Sequence, residues 1–315
     1  MTSEDKTENE TSITQRRRRT RFAPYNGWDW GEFWAEVMGT FFLMIINNGV
    51  VAVMVLMKPV SFDIFGVGII VGCGAMIGIL ISVPVSGGHI NPAVTLAFAT
   101  LKGHPWIKVP HYIIGQYLGS FIAQIFVYAM YHDAIDVYDD GNRSAFGGQK
   151  STGNIFATYP AAGVGLLTCV VDQIIGTAIL LIGVCGVTDS RGIKVPTHLQ
   201  PFLIALLIGA IVTAMGFNAG AILNPARDLA PRIFSALIGY GTKPFAPLGG
   251  HYWYLVGVIG PHIGALVGVF VYEKAIGEYL PETVSVGKRR TNGKGVDEEA
   301  MIQINVENEV VAKSV

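Results

Sequence analysis

The chain has 315 residues, 51% of them hydrophobic and only 14% charged, with a net charge of −1 and a mean hydropathy of +0.45. A soluble domain usually carries about 25% charged residues, so this composition excludes an ordinary soluble globular protein and points to a polytopic protein of the lipid bilayer. With no metal-ligand spacing, nucleophile elbow or phosphate loop in the sequence, no enzyme activity, cofactor, metal or nucleic-acid partner is expected.

In chain order, residues 1–32 are polar and charged and read as a cytosolic tail. Its basic run, Arg16, Arg17, Arg18, Arg19 and Arg21, either attracts an anionic leaflet or serves only as a topology signal. A channel domain over 33–282 follows, with six apolar spans at 33–57, 65–85, 111–131, 164–187, 201–218 and 252–275. Each approaches the ~20 residues that a hydrocarbon core demands. The spans divide into two repeats, 33–131 and 164–275, and residues 283–315 form a second polar tail containing Lys288, Arg289 and Arg290. Six crossings return the chain to its starting side, and the basic flanks place both termini in the cytoplasm. The segment 132–163 is then extracellular, and Asn142-Arg143-Ser144 within it is an N-glycosylation acceptor tripeptide. The glycines, 39 in all, suit helices that approach closely in lipid, and Cys73, Cys169 and Cys185 read as small core residues with no disulfide framework.

The sequence Asn-Pro-Ala occurs twice, at Asn91-Pro92-Ala93 and at Asn224-Pro225-Ala226. The copies stand 133 positions apart (91 to 224), close to half of the apolar part of the chain, as one unit present twice would give. Wider context repeats as well, with Glu36-x-x-Gly39-Thr40 opening the first half and Gln173-x-x-Gly176-Thr177 the second. Asn is a favoured N-cap and Pro a favoured first helical residue, so each motif starts a helix. The apolar stretches behind them, 94–101 and 227–238, are too short to cross a bilayer and read as re-entrant half-helices. An odd number of spans separates them, so the halves are inverted and the half-helices meet near the midplane. Two positive helix ends then face one point, opposing cations, while each Asn caps with its carbonyl oxygen and keeps its NH₂ free for a permeating oxygen. Arg227 is the one charge expected in the pore itself.

These motifs, with Ser86-Gly87-Gly88-His89-Ile90-Asn91 and six spans, resemble the aquaporin (major intrinsic protein) family over about residues 33–280. The resemblance implies an all-α membrane fold of six transmembrane helices plus two re-entrant half-helices, in a homotetramer with one pore per protomer in the cell membrane. Asp228 directly after Arg227 resembles the glycerol-conducting branch, as do Tyr131, Arg232, Pro261 and the loop Phe156–Pro160, whereas His262 departs from the aliphatic residue expected there. The resemblance also implies a second constriction, formed by Arg227 with Val71, Val212 and Ala221. Water-only members carry an aromatic, a His and a small residue at those three places, and glycerol channels carry aromatics at the first and third and Gly at the second. Neither pattern is met, so a wide aliphatic filter passing water and small neutral solutes such as glycerol and urea is expected, with a water-selective channel as the alternative.

Glu36 and Gln173 read as supports for the loops before each motif, or as proton-coupling groups of a transporter. His89 is either packed and hydrogen-bonded or exposed to the pore, Asp172 is a solvated residue at the membrane edge, and Asp228 is expected to pair with Arg232 and shape the outer mouth. A coupled transporter or an adhesion protein would call for paired midplane ionisable groups or a large ectodomain, and this chain offers neither pattern.

Overall fold

A computed structural model describes residues 29–57 and 63–281. The basic runs at 16–21 and 288–290, and nearly all of both expected tails, lie outside the described residues. Eight principal helices follow in order: α1 Trp30–Leu56, α2 Ile64–Ser86, α3 Pro92–Leu101, α4 Val109–Asp139, α5 Leu166–Thr188, α6 Gln200–Met215, α7 Pro225–Ser235 and α8 Gly260–Ala275. No strand is present among the described residues, and the fold is an all-α membrane fold with α3 and α7 as the two half-helices.

Several boundaries differ from the sequence expectation for physical reasons. α1 starts at Trp30 because the Asp29 carboxylate accepts from Gly31 N at 2.8 Å and Glu32 N at 3.2 Å, capping the helix. α4 runs eight residues beyond the expected 131, to Asp139: polar His132, Asp133 and Asp136 leave the apolar run but not the helix, which stops only where Asp140 and Gly141 turn left-handed. Tyr131 is therefore interior to α4 and packs against the cluster of Phe156, Phe234 and Tyr240. α6 has only 16 residues, about 24 Å at 1.5 Å per residue, and ends before the expected 218. The last span is interrupted by a π turn at Leu255–Ile259, followed directly by Pro261 in the first turn of α8. Such a turn re-satisfies backbone that a proline would otherwise orphan. α7 ends at Ser235, and the chain continues as a turn in which Ile238 and Gly239 leave helical geometry.

α1 packs on α2 and α4, α2 on α6, and α5 on α8, with α3 reaching α8 and α7 reaching α4. Glycines set the closest approaches. A Cβ on Gly119 of α4 would lie 2.1 Å from the Val37 carbonyl of α1, and one on Gly264 of α8 would lie 2.4 Å from the Ile174 carbonyl of α5. Val37 and Ile174 each follow by one the related pair Glu36 and Gln173, so the same contact is built in both repeats.

Candidate functional site

The two Asn-Pro-Ala segments are helix starts. Asn91 Oδ1 accepts from Ala93 N at 2.9 Å, and Asn224 Oδ1 accepts from Ala226 N at 3.0 Å and Arg227 N at 3.4 Å. The amide nitrogens are used differently from the sequence expectation. Asn91 Nδ2 donates to the Leu223 carbonyl at 3.0 Å and Asn224 Nδ2 to the Ile90 carbonyl at 2.8 Å, so one hydrogen of each NH₂ ties the opposite loop and only the second has no acceptor among the described residues.

Ile90 and Leu223 both have left-handed backbone, at φ 43° and 56°. That conformation is an outlier for a β-branched residue such as Ile90 and costs on the order of 1–3 kcal/mol. Each is held on three sides. Glu36 Oε2 accepts from Ile90 N at 2.7 Å, and Gln173 Oε1 accepts from Leu223 N at 3.0 Å. The carbonyls take the crossed Asn bonds. A Cβ on Gly39 would stand 2.6 Å from Ile90 Cγ2, and one on Gly176 would stand 2.9 Å from Leu223 Cδ2, so these glycines make room for the two side chains. The repeated Glu/Gln-x-x-Gly pattern is the socket for the residue before each Asn.

The sockets differ in chemistry. Glu36 accepts from four donors, since Ser86 Oγ and His89 N reach Oε1 at 2.6 and 3.1 Å and Gln116 Nε2 reaches Oε2 at 2.7 Å beside Ile90 N. Gln173 accepts from Leu223 N and donates to Asp172 Oδ2 at 2.8 Å. Asp172 is accordingly hydrogen-bonded and half-buried, not merely solvated, and also accepts from Asn218 Nδ2 at 3.0 Å. The alternatives for His89 do not exclude each other, since it lines a cavity while its Nδ1 lies 3.1 Å from Thr95 Oγ1 with its ring edge-on to Phe98.

Two cavities approach the half-helix starts from opposite directions, one of about 310 Å³ and one of about 820 Å³. The smaller is lined in part by His89, Asn91, Val94, Leu223 and Asn224, and the larger by Ala157, Thr158, Tyr159 and Gly220. Their walls share five residues: Asn47, Val71, Val212, Ala221 and Arg227. The four residues expected as a second constriction thus all line both cavities, as does Asn47 on α1, and this shared stretch is called the neck below. Among the described residues none accepts a hydrogen bond from the Arg227 side chain, whereas Asp228 and Arg232 are consumed by structure.

Asp228 and Arg232 form the expected i,i+4 ion pair at 2.8 Å, with both side chains fully buried. Asp228 is thus set behind the wall of the larger cavity and reaches it through Thr158. Its Oδ1 accepts from Thr158 N at 2.9 Å and Thr158 Oγ1 at 2.6 Å. Arg232 donates to the Thr158 carbonyl at 2.6 Å and to the Pro244 carbonyl, with its guanidinium over the rings of Tyr159 and Tyr252. The clamp fixes the 157–159 backbone that walls the larger cavity. Pro261 and the half-buried His262, whose Nδ1 meets the Val258 carbonyl at 2.8 Å, lie on α8 away from both cavities. Asn142 is exposed, its Nδ2 at 3.3 Å from the Asp140 carbonyl.

Inverted half-helices tied start to start inside a frame of membrane helices, with cavities leading to them from both ends, define a membrane channel. The chain belongs to the major intrinsic protein family, whose description it matches over residues 26–272. It is 37% identical to Aquaporin-9 of Homo sapiens over 81% of this chain and 85% of that protein. It is 39% identical to Aquaporin-10 of Milnesium tardigradum over 78% of this chain and 63% of that protein, so it spans less than two thirds of that relative's length. The fold is similar to the X-ray structure of the aquaglyceroporin from Plasmodium falciparum, with a TM-score of 0.69 and 29% identity over 78% of this chain and 96% of that one.

Proposed function

We propose that this protein is a passive channel for water and small neutral solutes such as glycerol and urea, closed to ions and protons, and that it performs no chemical step. The observation that carries the reading is the neck: two cavities meeting at Val71, Val212, Ala221 and Arg227 beside the two Asn-capped helix ends. Three aliphatic side chains leave the neck without the aromatic rings that would narrow it, so a polyol carbon skeleton is accommodated as readily as water. Arg227 offers guanidinium donors to a solute oxygen and repels cations. Farther along, the free hydrogens of Asn91 and Asn224 donate to the passing oxygen. Each helix start adds about half a positive charge, which holds that oxygen inward and opposes proton transfer along a water file.

In this reading Asp228, Arg232, Tyr131 and Pro261 belong to the glycerol-conducting design, Asp228 acting through the Thr158 clamp. Glu36 and Gln173 hold the loops and carry no protons. The protein works as a homotetramer in the cell membrane, with both termini cytoplasmic and Asn142 glycosylated on the outer side. Stopped-flow light scattering on proteoliposomes tests the function. Rapid shrinkage in an impermeant osmolyte and rapid reswelling in glycerol and urea gradients are expected, and water flux without either solute would establish the water-selective alternative.

A further inference from the structure

Asn47 and Asn48 are neighbouring amides on α1, 2% and 1% exposed. Their orientation is fixed by backbone groups that can act in only one sense. The Phe156 carbonyl, which can only accept, takes a hydrogen from Asn48 Nδ2 at 2.9 Å. The Ser120 carbonyl likewise takes one from Gln124 Nε2 at 3.0 Å, which turns Gln124 Oε1 toward Asn48 to accept its other hydrogen at 2.7 Å. With both hydrogens committed, Asn48 presents its Oδ1 to Asn47, whose Nδ2 donates to it at 2.7 Å. Asn47 Oδ1 is then the end of the chain. It has no protein partner among the described residues, nor is it one of the buried side-chain atoms closed off without a partner, so it opens onto the neck that Asn47 lines.

We infer that Asn47 is a fifth, specificity-determining residue of the neck, an acceptor locked in place by Asn48, Gln124 and the Phe156 carbonyl, that selects solutes able to donate as well as accept. The inference rests on the channel reading above. Among the five shared residues, Val71, Val212 and Ala221 offer no polar side-chain atom and Arg227 offers only donors, so Asn47 Oδ1 supplies the one side-chain acceptor. A polyol hydroxyl that receives from Arg227 can pass its own hydrogen to Asn47, and urea can do the same with its carbonyl and its amide. Glycerol and urea, losing more of their hydration on entering an aliphatic neck than a single water does, gain more from this second partner. Asn48 is a positioning residue, acting only through Asn47.

The test compares water, glycerol and urea permeabilities of proteoliposomes carrying the full chain, Asn47→Ala or Asn47→Leu. Loss of one hydrogen bond of about 0.5–1.5 kcal/mol corresponds to roughly a 2- to 10-fold fall in glycerol and urea permeability relative to water. Asn47→Ala discriminates by sign. It widens the neck, so a purely steric role raises glycerol relative to water, whereas loss of the acceptor lowers it. It also leaves a smaller side chain that the α1 packing tolerates if Asn47→Leu does not fold. A glycerol-to-water ratio that is unchanged or increased in Asn47→Ala overturns the inference and leaves the channel reading intact. A wild-type protein that passes neither glycerol nor urea overturns both.

Discussion

Asn224 donates its Nδ2 to the carbonyl of Ile90 at 2.8 Å, joining the cap of one half-helix to the residue that precedes the cap of the other. Asn91 and Leu223 repeat the bond in reverse at 3.0 Å, so each Asn holds its own helix and the opposite loop with one side chain. Asn224→Ala removes an N-cap, worth about 1 kcal/mol, and leaves the buried Ile90 carbonyl without its partner, worth about 1–3 kcal/mol more. Asn224→Asp keeps the cap and loses the crossed bond. Thermal unfolding in detergent is expected to rank the wild type above Asn224→Asp and Asn224→Ala lowest.

Gly39→Ala forces a Cβ to within 2.6 Å of Ile90 Cγ2 and 2.8 Å of Ser82 Oγ. Ile90 is pinned at its N–H and its carbonyl, so it cannot yield without releasing Glu36 or Asn224. The expected loss is about 1–3 kcal/mol, with a fall in water flux, because the displaced loop lines the smaller cavity. Wild-type stability and flux in this variant would remove Gly39 from the socket.

Much of the frame was legible in the sequence, and the particular residues say why. Asn is a strong cap and Pro a strong first residue, so the half-helix starts followed from local chemistry alone. The pairing of Glu36 with Gln173 was legible from the repeat, but the socket was not, because the reach of Glu36 Oε2 to Ile90 N spans 54 positions. The crossed Asn bonds were missed for the same reason. The signal for Asn47 was present as two adjacent amides in an otherwise apolar span, but the partners that orient it, Gln124 and the Phe156 carbonyl, are brought in by tertiary structure. The i,i+4 spacing made the pairing of Asp228 with Arg232 legible, but not the burial of both side chains or the bonds to Thr158, which lies 70 positions away.

Exchanging the acid and the amide between the two sockets should disturb them in different ways. Glu36→Gln turns an NH₂ toward donors from Ser86, His89, Ile90 and Gln116, and at least one buried donor then faces another. Gln173→Glu sets a carboxylate against Asp172 where an amide now donates. Both are expected to lower thermal stability, and the double variant Asp172→Asn with Gln173→Glu should recover part of the second loss. No recovery would exclude the Asp172 contact as its cause.

His104 lies in the turn between α3 and α4, its ring 4.7 Å from that of His89 and 4.8 Å from that of Tyr112. Burial, reinforced by Lys108, holds it down to about 4 from the ordinary 6.5. The folded protein thus binds fewer protons at His104 than the unfolded chain between those values, so stability falls as pH drops from about 6.5 toward 4. A His104→Asn variant is expected to show a shallower decline of melting temperature over that window, and an identical slope would assign the decline to other groups.

At the neck, Ala221→Phe and Val71→Trp place aromatic rings where the two cavities meet. Glycerol permeability is expected to fall at least tenfold in each, with water falling less. Unchanged glycerol flux in both would move the constriction elsewhere.

In the proposed channel, neutral solutes cross this neck while charge does not. The most direct measurement follows glycerol reswelling and internal pH together, in proteoliposomes loaded with a pH-sensitive dye under a proton gradient. Rapid reswelling is expected, with proton entry at the rate of empty liposomes. Proton entry that rises with the protein, or reswelling no faster than in empty liposomes, would contradict the channel reading.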